Sequence, residues 1–102
     1  MASRRRVAWS VEARRTLEEI LEFIHRDSPE GAQRVLEQAL AAAGSLSTLA
    51  ERGRVVPETA ESSIREIFVY RYRLMYRVSD ETVEILAFIH GARDFERWRS
   101  SE

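Results

Sequence analysis

The sequence predicts an α+β domain: an N-terminal helical hairpin packed on a small antiparallel sheet, in the order β-α-α-β-β-β. Three observations predict it. A run rich in Val, Ile, Phe, Tyr and Thr, from Ile64 to His90, divides into three strand-length pieces. Two earlier stretches carry apolar residues at helical spacing. Each of those stretches opens on a serine suited to cap a helix.

The strands are expected at about Ile64–Tyr70, Tyr72–Ser79 and Thr82–His90, with Ser79, Asp80 and Glu81 as a polar turn. Period two is visible in the second. Tyr72, Leu74, Tyr76 and Val78 share one face, which reads as core. Arg71, Arg73, Met75 and Arg77 share the other, which suits a polyanion or an acidic partner.

Before the strands, Val7-Ala8-Trp9 suits a short edge strand. Ser10 caps a first helix, Glu12 complements its dipole, and Ala13, Leu17, Ile20, Leu21 and Ile24 form its stripe, ending near Asp27. Ser28-Pro29-Glu30 is a second start signal. Ala32, Val35, Leu36, Ala39, Leu40 and Ala43 continue it, and the stripe is expected to run on through Leu46 and Leu49. The small residues, Gly44 among them, allow close approach to a neighbour. The short junction makes the pair an antiparallel hairpin. Gly53 closes this part, and residues 54–63 read as a polar linker. Phe95 and Trp98, spaced i and i+3, are expected to pack back from one last helical turn. A single domain over residues 1–102 is expected, since 102 residues bury a core without staples.

Composition excludes several function classes. The net charge of -1 gives no global field toward nucleic acid. There is no cysteine, so disulfides, thiolate catalysis and zinc–thiolate sites are excluded. All sixteen basic residues are Arg, which removes lysine chemistry. No apolar run approaches the ~18 residues of a membrane span and no signal peptide is visible, so a cytoplasmic protein without membrane contact is expected. The four glycines are isolated, and no phosphate loop, HExxH spacing or nucleophile elbow exists. No metal and no cofactor is expected.

Two histidines remain. His25 suits the C-terminal end of the first helix. His90 closes the last strand and reads either as a half-buried strand end or as a general acid–base group. Arg65, Arg71, Arg73, Arg77 and Arg93 come from adjacent strands or their exits, with Tyr70, Phe88 and Trp98 as stacking surface. Against a contact role stand Glu66, Glu84 and Asp94 as cross-strand partners. From Ser63 to Glu102 there are seven Arg and seven acids, so this region carries no excess charge.

The ordered set Trp9-Ser10 and Ala13, Asp27-Ser28-Pro29 and Ala32, Gly53-Arg54, Val56-Pro57-Glu58, Ile64-Arg65-Glu66, Tyr72-Arg73-Leu74, Tyr76-Arg77-Val78 and Ile89-His90-Gly91-Ala92-Arg93-Asp94 resembles the ParE branch of the RelE/ParE toxin superfamily. The resemblance runs from about Val7 to Asp94. It implies the toxin of a type II toxin–antitoxin module. It also implies neutralisation by a ParD-like antitoxin with a ribbon-helix-helix N-terminus, and DNA gyrase as the target of a protein that acts by binding. The RelE branch implies the alternative, a ribosome-dependent mRNA endonuclease, whose candidates here are Arg73, Arg93 and His90. Those nucleases place lysines where this chain has Ile64 and Glu66, and often a tyrosine where it has Trp98. The target-contact candidates are Arg65, Arg73, Arg77, Arg93 and Trp98. A groove on the helical hairpin lined by Leu17, Leu21, Leu36 and Leu40 is the expected antitoxin site.

Overall fold

The computed structural model describes residues 4–91. Strand β1 (Arg6–Trp9) leads into helices α1 (Val11–Asp27) and α2 (Pro29–Ser45). Strands β2 (Arg54–Val55), β3 (Ile64–Val69), β4 (Tyr72–Val78) and β5 (Thr82–His90) complete one sheet in the order β1-β5-β4-β3-β2. The antiparallel arrangement expected for the C-terminal strands holds from β2 to β5. Strand β1 makes the sheet mixed, because it pairs parallel to β5. Phe95 and the turn expected around it lie outside the described residues.

The helix boundaries follow from their caps. Ser10 Oγ accepts the Ala13 N–H at 3.0 Å. Ser28 serves both helices: its own N–H donates to the Ile24 carbonyl, and its Oγ accepts the Gly31 N–H at 2.9 Å. With Pro29 at the first helical position, the chain reverses without a loop. Helix α2 stops sooner than its apolar stripe predicts. Leu46 is its buried cap, whereas Leu49 is exposed in the turns that follow. A Cβ at Gly44 would meet nothing within 4 Å, so the close approach is made by Ala39 and Ala43 instead.

The helices cover one face of the sheet. Ala13, Leu17, Val35, Ala39, Leu46, Leu74, Tyr76, Ile85 and Phe88 belong to this core, with Tyr72 and Val78 packed against it. The face of β4 that period two assigns to the core is therefore the helix-covered one. The opposite face is buried too: Val56, Ile64, Met75, Leu86, Ala87 and Ile89 form a second cluster. A bulge in β5 adjusts the two layers. Met75 pairs with Ala87 but Tyr76 with Ile85, which leaves Leu86 as the extra residue. Val83 and Ile85 thus face the helices before the bulge and Phe88 after it. Where β1 has ended, the Thr16 hydroxyl of α1 accepts the Phe88 N–H at 3.3 Å.

Gly53 is fixed by close approach. A Cβ there would stand 2.5 Å from both the Glu66 carbonyl oxygen and the Tyr76 hydroxyl. The Gly53 N–H donates to that hydroxyl at 3.0 Å, and burial holds the phenol above its ordinary pKa. The neighbouring backbone and a core ring leave no room to yield. Gly53→Ala is expected to cost about 1–3 kcal/mol, as overpacking does. Urea denaturation that gives an unchanged midpoint would contradict this reading.

Candidate functional site

The second face of the sheet contains the structure's buried charges. Arg73 is 3% exposed and Glu66 1%. They sit on neighbouring strands, β4 and β3, one pair out of direct register, with Phe68 opposite Arg73 and Met75 opposite Glu66. Arg73 Nε donates to Glu66 Oε1 at 2.6 Å, and its Nη2 lies 2.5 Å from the same oxygen. The outer edge of the guanidinium faces Glu58, with Nη2 to Oε1 at 3.1 Å and Nη1 to Oε2 at 3.3 Å. The second oxygen of Glu66 accepts from Arg54 Nε at 2.5 Å. Among the described residues, two arginines and two glutamates from the linker, β2, β3 and β4 thus form one network.

Burial alone would discharge such groups. Burial acts to lower the Arg73 pKa, but the hydrogen bonds it donates to Glu58 and Glu66 outweigh it and hold the guanidinium above its ordinary value. The hydrogen bond from Arg73 holds the Glu58 carboxyl below its ordinary range, against a smaller opposing effect of burial.

The predicted site residues separate in space. Arg73 lies on the face away from the helices, as its period predicts, and among the described residues its acids are Glu66, one of the expected cross-strand partners, and Glu58. Glu84 instead lies 3.8 Å from Arg77, in a half-exposed pair. Arg65 leaves the arginine face altogether. It shares the side of β3 that carries Ile67 and Val69, and its Nη1 donates to the Gly53 carbonyl at 2.7 Å. His90 pairs with Tyr72 in register, and its ring meets the Tyr72 ring edge-on at 5.7 Å. Tyr72 also stacks on Phe88 of the helix-side core. His90 and Arg73 therefore project from opposite faces of the sheet. Among the described residues, the buried Nδ1 atom of His90 has no hydrogen-bond partner. Arg93 and Trp98 lie outside the described residues. Among the described residues, no cluster of His, Asp or Glu is placed to hold a metal ion.

The helical groove expected for an antitoxin is largely consumed by the core. Leu17 is a core residue, Leu21 and Leu36 pack against the core, and only Leu40 stands open, at 51% exposure. These leucines serve two sides of a hairpin that must first cover its own sheet. Sequence reading missed Glu58 as the partner of Arg73. Its place directly after Pro57, in a linker that returns over the sheet, was the available signal. Of the expected stacking residues, Tyr70 is exposed and Phe88 is buried in the core; the exposure of Phe68 was missed, which alternation within β3 could have flagged.

The family-level comparison agrees with this architecture. Residues 7–95 match the family model for the ParE toxin of the type II toxin–antitoxin system parDE. Y4kP of Sinorhizobium fredii is 34% identical, over 87% of this chain and 91% of its own. Toxin RelE2 of Caulobacter vibrioides is 36% identical, over 85% of this chain and 96% of its own. A chain of the chromosomal ParDE TA system from P. aeruginosa shares the fold, with a TM-score of 0.71 at 18% identity, over 85% of this chain and 96% of that one. The chain belongs to the ParE toxin family of type II toxin–antitoxin systems.

Removing Arg73 leaves Glu66 charged and buried with, among the described residues, only the exposed Arg54 beside it. Arg73→Ala is expected to cost about 3–5 kcal/mol, whereas Arg77→Ala, from a half-exposed pair, stays within about 1 kcal/mol. Equal melting temperatures for the two variants would contradict the assignment. The lowered Glu58 pKa sets a pH dependence. Its contribution is present above the ordinary glutamate value of 4.5 and is lost as pH falls below it. Glu58→Gln is expected to flatten the acid limb of the melting temperature against pH, and an unchanged limb would count against the pairing.

Proposed function

We propose that this toxin acts by binding DNA gyrase in the cytoplasm, and that a ParD-like antitoxin with a ribbon-helix-helix N-terminus neutralises it. One observation carries the choice of binding over RNA cleavage. A phosphate-cleaving site needs a cation free to take the phosphate and a proton carrier on the same side. Here the Arg73 guanidinium is occupied by two carboxylates of its own chain, and His90 projects from the other face of the sheet. Glu66 adds a carboxylate on the face where an RNA phosphate would have to approach. A surface that acts by complementarity needs none of these groups to be available.

Purified toxin is expected to inhibit supercoiling by purified gyrase and to trap cleaved DNA, with no ribosome present. Expression without antitoxin is expected to induce a DNA-damage response. Codon-positioned mRNA cleavage in translating ribosomes, lost in His90→Ala, with gyrase uninhibited at saturating toxin, would overturn the proposal in favour of a RelE-like endonuclease.

A further inference from the structure

The free edge of the sheet at β1 is a surface that neither the core nor the charged cluster uses. Arg6 and Ser10 donate their N–H groups toward β5, to the Glu81 and Ile85 carbonyls. Backbone direction alternates along a strand, so Ala8 also faces β5, whereas Arg5, Val7 and Trp9 face away from it. The Arg5 N–H donates to the Ser47 carbonyl at 2.7 Å, in the segment after α2. Among the described residues, no backbone group meets the N–H and C=O of Val7 and Trp9. Edges of this kind are normally blunted by a charge, a proline or a bulge. Val7, Ala8 and Trp9 supply none of these.

The side chains along this edge are apolar. Val7 and Trp9 lie half-buried on the helix side, and Ala8 is exposed on the other face. Val11, just beyond the strand, is 86% exposed.

Charge is divided along the edge. Arg4 and Arg6, both exposed, precede the apolar triplet, and Asp80 and Glu81 beside them offset part of their charge. Glu12 follows the triplet in the first turn of α1 and shares Arg15 with Glu19, two carboxylates to one guanidinium. The edge thus runs from basic to acidic. Such a surface complements a copy of itself laid antiparallel and opposes one laid parallel.

We infer that β1 is a docking site for a second copy of this chain, the two β1 strands pairing antiparallel about a two-fold axis at Ala8. This register satisfies the open groups. The N–H and C=O of Val7 meet those of Trp9 in the other copy, and the axis repeats the pair. Val7 packs on that Trp9 across the junction, a β-branched residue against an aromatic. The two Ala8 residues face each other as a non-hydrogen-bonded pair, where Cα atoms stand about 4.5 Å apart and a small side chain fits. Arg6 and Arg4 come to lie beside Ser10 and Glu12 of the other copy, not beside their own counterparts. The two sheets become one, with both helical layers on one side and both Arg73 clusters on the other. The interface leaves the Arg73 cluster untouched and does not depend on gyrase being the target.

Sedimentation equilibrium of the purified full chain tests this. A concentration-dependent monomer–dimer equilibrium is expected. Ala8→Glu sets two carboxylates against each other at the axis, next to Glu84, and is expected to raise the dissociation constant at least about tenfold. Position 8 is exposed, so the fold is kept, and circular dichroism checks it. Disulfide trapping reads the register. The chain has no cysteine, so Ala8→Cys supplies its one thiol. With diamide as oxidant this variant is expected to form a linked dimer, because such a pair brings the two Cβ atoms within disulfide reach. Arg6→Cys faces Ser10 of the other copy and is expected to stay unlinked. A monomer at the highest attainable concentration, a dimer that a folded Ala8→Glu variant leaves intact, or equal linking of the Arg6→Cys variant would each overturn the proposal.

Discussion

A guanidinium and a carboxylate buried together near the centre of the sheet impose conditions on everything around them. Neither is stable there alone, because removing a charge from water costs several kcal/mol per ion. Arg73 needs Glu66 within hydrogen-bond reach, which requires β3 and β4 to hold their register. Glu66 has a second oxygen to satisfy, and Arg54 reaches it because β2 lies beside β3 there. The outer edge of Arg73 needs an acid as well, and Glu58 supplies it by bringing residues 56–63 back over the sheet. The short β2 strand and the linker after it are thereby tied to the centre of the fold.

The helical layer meets different demands. It must cover an apolar face, and it uses most of its leucines and alanines to do so. Its junction with the sheet is polar where strand pairing runs out, and Thr16 takes the Phe88 amide that β1 no longer reaches. The Gly53 contact ties the segment after α2 to the sheet, since one residue touches the β3 backbone and a core tyrosine hydroxyl of β4 together.

Much of this was legible in the sequence. Ser10 and Ser28-Pro29 marked both helix starts, and alternation in Tyr72–Val78 placed the core face correctly. Strand β5 was harder, because Leu86, Ala87, Phe88 and Ile89 are all apolar and buried. No polar residue remains there to reveal the bulge. A two-residue strand such as β2 has no period to read. Ion-pair choice was illegible for a geometric reason: Glu58 is fifteen positions from Arg73 and reaches it only after the linker folds back. Arg65 misled because an arginine in a strand need not follow the charged face. Its long chain can bond to carbonyls at the margin of the core side.

The functional account rests on Arg73 being a locked structural residue of the ParE fold rather than a phosphate clamp. Side-chain ¹⁵N NMR of the Arg73 Nε–Hε group tests this most directly. A buried hydrogen bond to Glu66 predicts a resolved, slowly exchanging Hε signal that inorganic phosphate and short RNA leave in place. A signal in fast exchange with water, or one that shifts in a saturable way as phosphate or RNA is added, would contradict the account.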